Sequence, residues 1–167
     1  MIICPPESYF GVHKNPYHAK VVVGKYTSVA NGTHIIVASH PSLTDNTVSN
    51  FPFYEKLKLD YPKCTVGGLI TIGNDVWIGE NVKIVGECTI GDGAIIGAFS
   101  VVAKDIPPYS IVVGNPGKII RLRFLPVNID RLLKIKWWDW PVDKIKENIG
   151  DFRDVNKFVE KYEHTKG

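Results

Sequence analysis

The sequence predicts an all-β solenoid, a parallel β-helix interrupted by one ejected loop and followed by a helical cap, and three observations predict it. From Ile72 onward an aliphatic residue recurs at every sixth position: Ile72, Ile78, Ile84, Ile90, Ile96 and Val102. The next residue is small at Gly73, Gly79, Gly91, Gly97 and Ala103, with Val85 the exception. Four residues after each aliphatic stands another small or β-branched side chain: Val76, Val82, Cys88, Ala94, Ser100 and Ile106. Neither an amphipathic helix nor an alternating strand has this period. A hexapeptide-repeat β-helix does, each six-residue unit being a short strand plus a turn. The aliphatics then stack inside as ladders, and the glycines fill turns where a Cβ would clash or φ must be positive.

Taken in order, residues 1–20 offer aromatics and prolines but no period. The beat starts at Val23-Gly24, Val29-Ala30 and Ile35, with Thr27, Thr33 and Ser39 four residues after each. Three hexads make one triangular coil, so residues 21–40 form the first. Residues 41–68 break the beat with turn formers, charges and aromatics, and an interruption of that length in a compact domain is usually functional. It is expected to leave the coil as a loop whose Asn50-Phe51-Pro52-Phe53-Tyr54 cluster either walls a pocket or pins the loop to the scaffold. After Ile106, Pro107-Pro108 is expected to slip the phase by one residue through a bulge or small loop. The beat then resumes at Val113-Gly114 and Ile119 and ends near Arg123-Phe124.

From Pro126 the period becomes helical, with Ile129, Leu132 and Leu133 on one face and Trp137 a further turn along it. Pro141 suits a first helical turn, followed by Val142, Ile145 and Ile149 and by Gly150 as a stop. A last helix places Phe152, Val155, Phe158, Val159 and Tyr162 together. These helices are expected to cap the open end of the coil, which a repeat fold must cover. The expected organisation is a β-helix domain over residues 1–124, with loop 41–68 within it, and a helical extension over 125–167.

Composition narrows the function. The 167 residues suit one domain with a real core, and 44% hydrophobic with 22% charged residues is ordinary for a globular protein. A net charge of +3 with no long basic run does not argue for nucleic acid. Cys4, Cys64 and Cys88 are odd in number and irregular in spacing, so they suggest neither a disulfide framework nor a zinc site. Cys88 falls on an inward hexad position as a small core residue. The start MIICPPESYFG lacks the pattern of a secretory signal, and no apolar stretch is long enough to span a bilayer, so a cytoplasmic protein is expected.

Among motifs, Gly91-x-Gly93-x-x-x-Gly97 is one residue off a dinucleotide fingerprint, and the hexads already explain its glycines. No phosphate loop or nucleophile elbow occurs, and the histidines are not spaced as a metal set. Asn31-Gly32-Thr33, though a sequon, is more simply a turn. His34 and His40 each follow a hexad aliphatic by five residues and so point outward, with His40 at the mouth of the interruption. On position alone, such a histidine is more often solvated than catalytic. Its reference pKa of about 6.5 nevertheless suits it to accept a proton near neutrality.

The stretches Val76-Trp77-Ile78-Gly79, Gly93-Ala94-Ile95-Ile96-Gly97-Ala98, Ser100-Val101-Val102-x-Lys104-Asp105, Pro107-Pro108-Tyr109 and Gly114-Asn115-Pro116-x-Lys118 resemble the hexapeptide-repeat acyltransferases. Arg121-x-Arg123-Phe124 and Trp137-Trp138-Asp139-Trp140-Pro141 resemble their xenobiotic acetyltransferase branch, which includes streptogramin and chloramphenicol O-acetyltransferases and has sugar-acetylating relatives. The resemblance implies a left-handed β-helix, contrary to the usual right-handed crossover. It also implies a homotrimer with active sites between subunits, acetyl-CoA as acyl donor and a small-molecule acceptor; the charge, histidine spacing and hydropathy given above add the expectation of no nucleic acid, metal or membrane partner. It places the catalytic base at His40, just before the loop, and matches a Ser-x-x-Pro-Phe pattern to Ser49-Asn50-Phe51-Pro52-Phe53. The gap from the histidine to the Pro-Phe pair is somewhat longer than the family's, and the N-terminal coil is shorter.

On that resemblance, Trp77 is expected to wall the pantetheine arm, an outward tryptophan at a subunit contact being the other reading. Ala98 and Ser100 let the coenzyme approach backbone donors, and Asn115 joins them. Lys104, Lys118, Arg121 and Arg123 supply charge for its phosphates. An apolar acceptor would rest on Phe51 and Phe53, whereas a sugar would need hydrogen bonds from Asp45, Asn46 and Ser49. The loop is richer in the second kind, which favours a carbohydrate-like acceptor and keeps the antibiotic class open. A catalytically silent trimeric scaffold, or a relative using another acyl donor, are the remaining readings.

Overall fold

The computed structural model describes residues 2–3, 19–37, 48–49, 51, 53–61 and 68–164. Three hexads make one circuit of a triangular coil, and each side of the triangle is a parallel sheet. One sheet holds β2 (Ala19–Val23), β5 (Gly68–Ile72) and β8 (Cys88–Ile90). A second holds β4 (His34–Ile36), β7 (Lys83–Val85) and β10 (Val101–Val102). The third stacks β3 (Ser28–Val29), β6 (Trp77–Ile78), β9 (Ile95–Ile96) and β11 (Ser110–Val113) in parallel. Antiparallel β1 (Ile2–Ile3) and β12 (Lys118–Leu122) flank this stack. The arrangement is a β-helix, as the hexad period requires.

The register sets hexad aliphatics directly over one another: Val23, Ile72 and Ile90 on one side, Ile35, Ile84 and Val102 on the next, Val29, Ile78, Ile96 and Val112 on the third. From Ile72 to Val102 none of the six exceeds 1% exposure. Burying each such side chain contributes about 1.5–3 kcal/mol. The small residue that follows has a backbone reason. Gly79 donates its N–H to the Ile96 carbonyl at 2.8 Å, and a Cβ on Gly79 would stand 2.6 Å from the Ala98 nitrogen. Stacked coils therefore approach too closely for a side chain there.

Four expectations for the coil and its interruption are corrected. The phase slips before Ile106, because Ile106 bridges to Ile90 four residues after Val102 instead of six. The slip is thus two residues, and the inward position falls on Val112, fully buried, while Val113 is exposed. The bulge is real but lies between Ile111 and Val112 against β12. Ile119 does not resume the coil: β12 turns back antiparallel to β11, and all its residues are exposed. The interruption is not wholly irregular, since Phe53–Leu57 forms a short helix, α1.

The helical segment begins with α2 (Pro126–Ile135), which stops where Lys136 adopts φ 47°. Trp137 accordingly starts a separate 3-10 turn, Trp137–Asp139, and does not extend α2. Pro141 precedes α3 (Val142–Glu147) as its N-cap, and Gly150 sits inside a 3-10 turn, Ile149–Arg153, where it terminates nothing. Asp154 caps α4 (Val155–Tyr162), its carboxylate accepting from Asn156 N at 2.9 Å and Lys157 N at 3.2 Å. Ile129, Leu132, Trp140, Phe158, Val159 and Tyr162 pack into one apolar cluster with Tyr109 of the coil, so the helices sit against that corner of the β-helix. No helix among the described residues is long and apolar enough to cross a membrane.

Candidate active site

The triangular coil has three corners, and the residues singled out for coenzyme binding are distributed over them. At the corner formed by residues 79–82, 97–100 and 114–117, Ala98 is exposed and Ser100 is not. Ser100 was expected beside Ala98 as a surface for the coenzyme. Its side chain is instead fully buried, with Oγ accepting from Gly114 N at 3.0 Å, because the inward hexad position claims it. That bond, together with Val101 N to Gly114 O at 3.0 Å and Gly117 N to Val101 O at 2.7 Å, holds the turn carrying Asn115 against the corner. Asn115 and Lys118 are exposed there.

Trp77 projects from the adjoining sheet with 52% of its surface open. Its register neighbours run Ser28, Trp77, Ile95, Ile111 and Arg121, so Trp77 and Arg121 share one outward column. Lys104 is exposed at the second corner, after β10. That corner is also the one from which the chain leaves the first coil past β4, since Gly86 N bonds Ile36 O at 2.9 Å. His34 is exposed on β4. His40, Asp45 and Asn46 lie outside the described residues.

In the loop, Ser49 Oγ accepts from Phe51 N at 3.1 Å, and Tyr61 donates its hydroxyl to Ser49 O at 2.7 Å. Phe53 packs edge-on against both Phe51 and Tyr61, with ring centroids 5.0 Å apart in each case. Ser49, Phe51 and Phe53 are thus brought together, and Phe51 keeps 47% of its surface exposed.

Arg123 departs most from expectation. It was assigned to coenzyme phosphates, yet it reaches the third corner, under the helices. Its Nη1 lies 3.1 Å from Asp75 Oδ2 and donates to Gly93 O at 2.7 Å, while the guanidinium covers the rings of Tyr109 and Phe124. Burial pushes the Asp75 carboxyl above its ordinary range, the nearby Arg123 only partly offsetting it. Burial also raises the Tyr109 phenol, whose hydroxyl finds no hydrogen-bond partner among the described residues. These groups, with Leu132, Trp137, Phe152, Val155 and Phe158, line a cavity of about 220 Å³ at the junction with the helices. Sequence reasoning missed Asp75 and Tyr109. The available signal was their turn position one residue before an inward hexad site, where both adopt positive φ.

Residues 70–104 match the family described as bacterial transferase hexapeptide (six repeats). A probable macrolide acetyltransferase of Lysinibacillus sphaericus is 37% identical over 153 residues, which is 86% of this chain and 84% of that one. A chloramphenicol acetyltransferase of Agrobacterium fabrum is 39% identical over 76% of this chain, and the chain spans 63% of that relative's length. A galactoside acetyltransferase solved in complex with coenzyme A superposes with a TM-score of 0.50 at 35% identity, over 61% of this chain and 44% of that one. With a match of that extent to the Lysinibacillus protein, the chain belongs to the hexapeptide-repeat acetyltransferase family.

Proposed function

We propose that the chain is an acetyl-CoA-dependent acetyltransferase acting on a hydroxyl, or an amine, of an antibiotic-type or carbohydrate-like small molecule. The observation that carries this reading is the match over most of both chains to a relative named for macrolide acetylation. The coenzyme-bound galactoside acetyltransferase supports coenzyme A as the carrier of the acyl group. Acetyl transfer here is direct. His40 takes the proton from the acceptor hydroxyl as its oxygen attacks the thioester carbonyl. The new C–O bond forms, the C–S bond breaks, and the proton passes to the departing thiolate, while a backbone N–H holds the developing oxyanion.

The β-helix is left-handed, as in the family the sequence resembles, and assembles as a cytoplasmic homotrimer. The separation of candidate residues over two corners and one sheet face of the coil supports the trimer. Ala98, Asn115 and Lys118 stand at one corner and Lys104 at another, and a neighbouring copy laid alongside brings groups from different corners together on one coenzyme. Residues 1–124 serve as the catalytic domain with loop 41–68 as acceptor lid, and residues 125–167 cap the coil. Trp77 lies along the pantetheine arm, and Lys104, Lys118 and Arg121 face the phosphates. Arg123 instead ties the coil to the cap through Asp75.

The exposed Phe51 and its packed neighbours Phe53 and Tyr61 favour an apolar antibiotic face for the acceptor, with Asp45, Asn46 and Ser49 supplying directed hydrogen bonds if the acceptor is a sugar. Thiol release from acetyl-CoA over a panel of macrolides, chloramphenicol, streptogramins and sugars tests the activity. Turnover with at least one acceptor class is expected. No turnover across the panel, together with no coenzyme binding, overturns the reading in favour of a silent scaffold, whereas turnover only with another acyl-CoA would reassign the donor.

A further inference from the structure

Three bulky aromatic residues of this coil, Tyr26, Phe99 and Tyr109, hold left-handed backbone conformations with φ of 58°, 60° and 55°. L-residues with large side chains rarely adopt this region unless surrounding contacts compensate. Two of the three have visible compensation. Tyr109 is buried and packs at a tilt against Phe124 under Arg123, and Tyr26 packs on Trp137 at 5.0 Å. Phe99 has no such cover: 69% of its surface is open. Its backbone is fixed by N–H donation to the Glu80 carbonyl at 2.8 Å, one coil below. The stacked equivalents at this turn are Gly32 and Asn81, residue types that take positive φ readily. An exposed phenylalanine stands where asparagine or glycine would serve the fold better.

The surroundings indicate what covers it. Ala98, the preceding residue, is small and exposed. The turn over residues 114–117 is bonded to Val101, two residues past Phe99, and leads directly into exposed Lys118. A flat apolar ring with a cation on the neighbouring turn matches a ligand that joins a planar base to phosphates. We infer that Phe99 is the platform on which the adenine base of the acyl donor stacks, a specificity-determining contact that selects the nucleotide end of the coenzyme. The inference rests on the acetyl-CoA reading and adds to it a residue that the hexad pattern uses only as a turn.

Binding measurements on Phe99→Asn and Phe99→Tyr test it without need of an acceptor. Asparagine suits the left-handed turn, so Phe99→Asn should fold, keep the wild-type oligomeric mass and melt at or above the wild-type temperature. Its dissociation constant for acetyl-CoA should rise on the order of tenfold, the loss expected for one base stacked on one ring. Binding of acetyl-pantetheine, which lacks the base, should change by less than about twofold. Phe99→Tyr, which keeps the ring, should bind both donors as wild type does. Unchanged acetyl-CoA affinity in Phe99→Asn, or an equal loss with both donors, overturns the inference. A fall in oligomeric mass also overturns it, because Phe99 would then be a contact between copies of the chain. A wild-type protein that binds neither donor removes the coenzyme reading itself along with this one.

Discussion

Gly93 shows how tightly single positions are constrained. Its φ is +68°, and a Cβ there would run into the Tyr109 ring of the next coil. Gly93→Ala is expected to destabilise the fold by about 2–4 kcal/mol, combining left-handed strain with overpacking, as read from urea unfolding. The neighbouring Tyr109 gives the opposite expectation. Its hydroxyl is buried without a partner among the described residues, so Tyr109→Phe should leave stability unchanged or raise it by up to about 1 kcal/mol. A loss larger than that would show that the hydroxyl has a partner after all. At this scale the hexad phase made the buried aliphatics legible, whereas Ser100, on an equally inward position, was assigned to the coenzyme surface and is buried. Spacing has no means of showing that the Ser100 hydroxyl is occupied by Gly114 N, or that Arg123 crosses to Asp75, because both contacts join residues set next to each other only when the coils stack.

The elements differ in how far their sequences announced them. The strands follow from the period, but the direction of β12 does not: Ile119 repeats the aliphatic beat while the chain reverses after Gly114 at φ 95°. In the helical segment, apolar spacing alone joined Trp137 to α2, whereas the left-handed Lys136 ends that helix one residue earlier. The cap of α4 is a local device. Asp154→Ala should cost about 1 kcal/mol, the usual worth of an N-cap acceptor, in the same urea titration. Asp151 secures the end of that helix, accepting from Lys161 Nζ at 2.7 Å and the Tyr162 hydroxyl at 2.6 Å, and these bonds hold its carboxyl below the ordinary value of 3.8. A lowered folded-state value gives stability that is present above the ordinary carboxyl range and lost as pH falls through the lowered one. Amide exchange at Phe158 and Val159 should therefore quicken as pH drops below about 4, after correction for the intrinsic rate, and Asp151→Asn should weaken that dependence, leaving the part due to the Asp154 cap.

For the whole molecule, outward apolar groups remain uncovered on a single chain. Trp77, Ile119 and Ile120 are exposed by 52%, 44% and 57%, and patches of this kind on an isolated coil mark contact with ligand or with other subunits. A closed threefold oligomer is expected from light scattering at micromolar concentration, and a monomer would contradict the shared site. The period carried the fold class because a solenoid repeats one local solution. The candidate site was less legible, since the residues proposed for it lie on separate parts of the coil and on a loop with no period.

The most direct measurement compares His40→Ala with the wild-type chain for acetyl-CoA binding and for thiol release with the best acceptor. If His40 is the base of a direct transfer, coenzyme binding and oligomeric mass are retained while turnover falls by roughly a hundredfold or more. Turnover within a few-fold of wild type would contradict the account and move the base to another residue, His34 on β4 being the next to substitute.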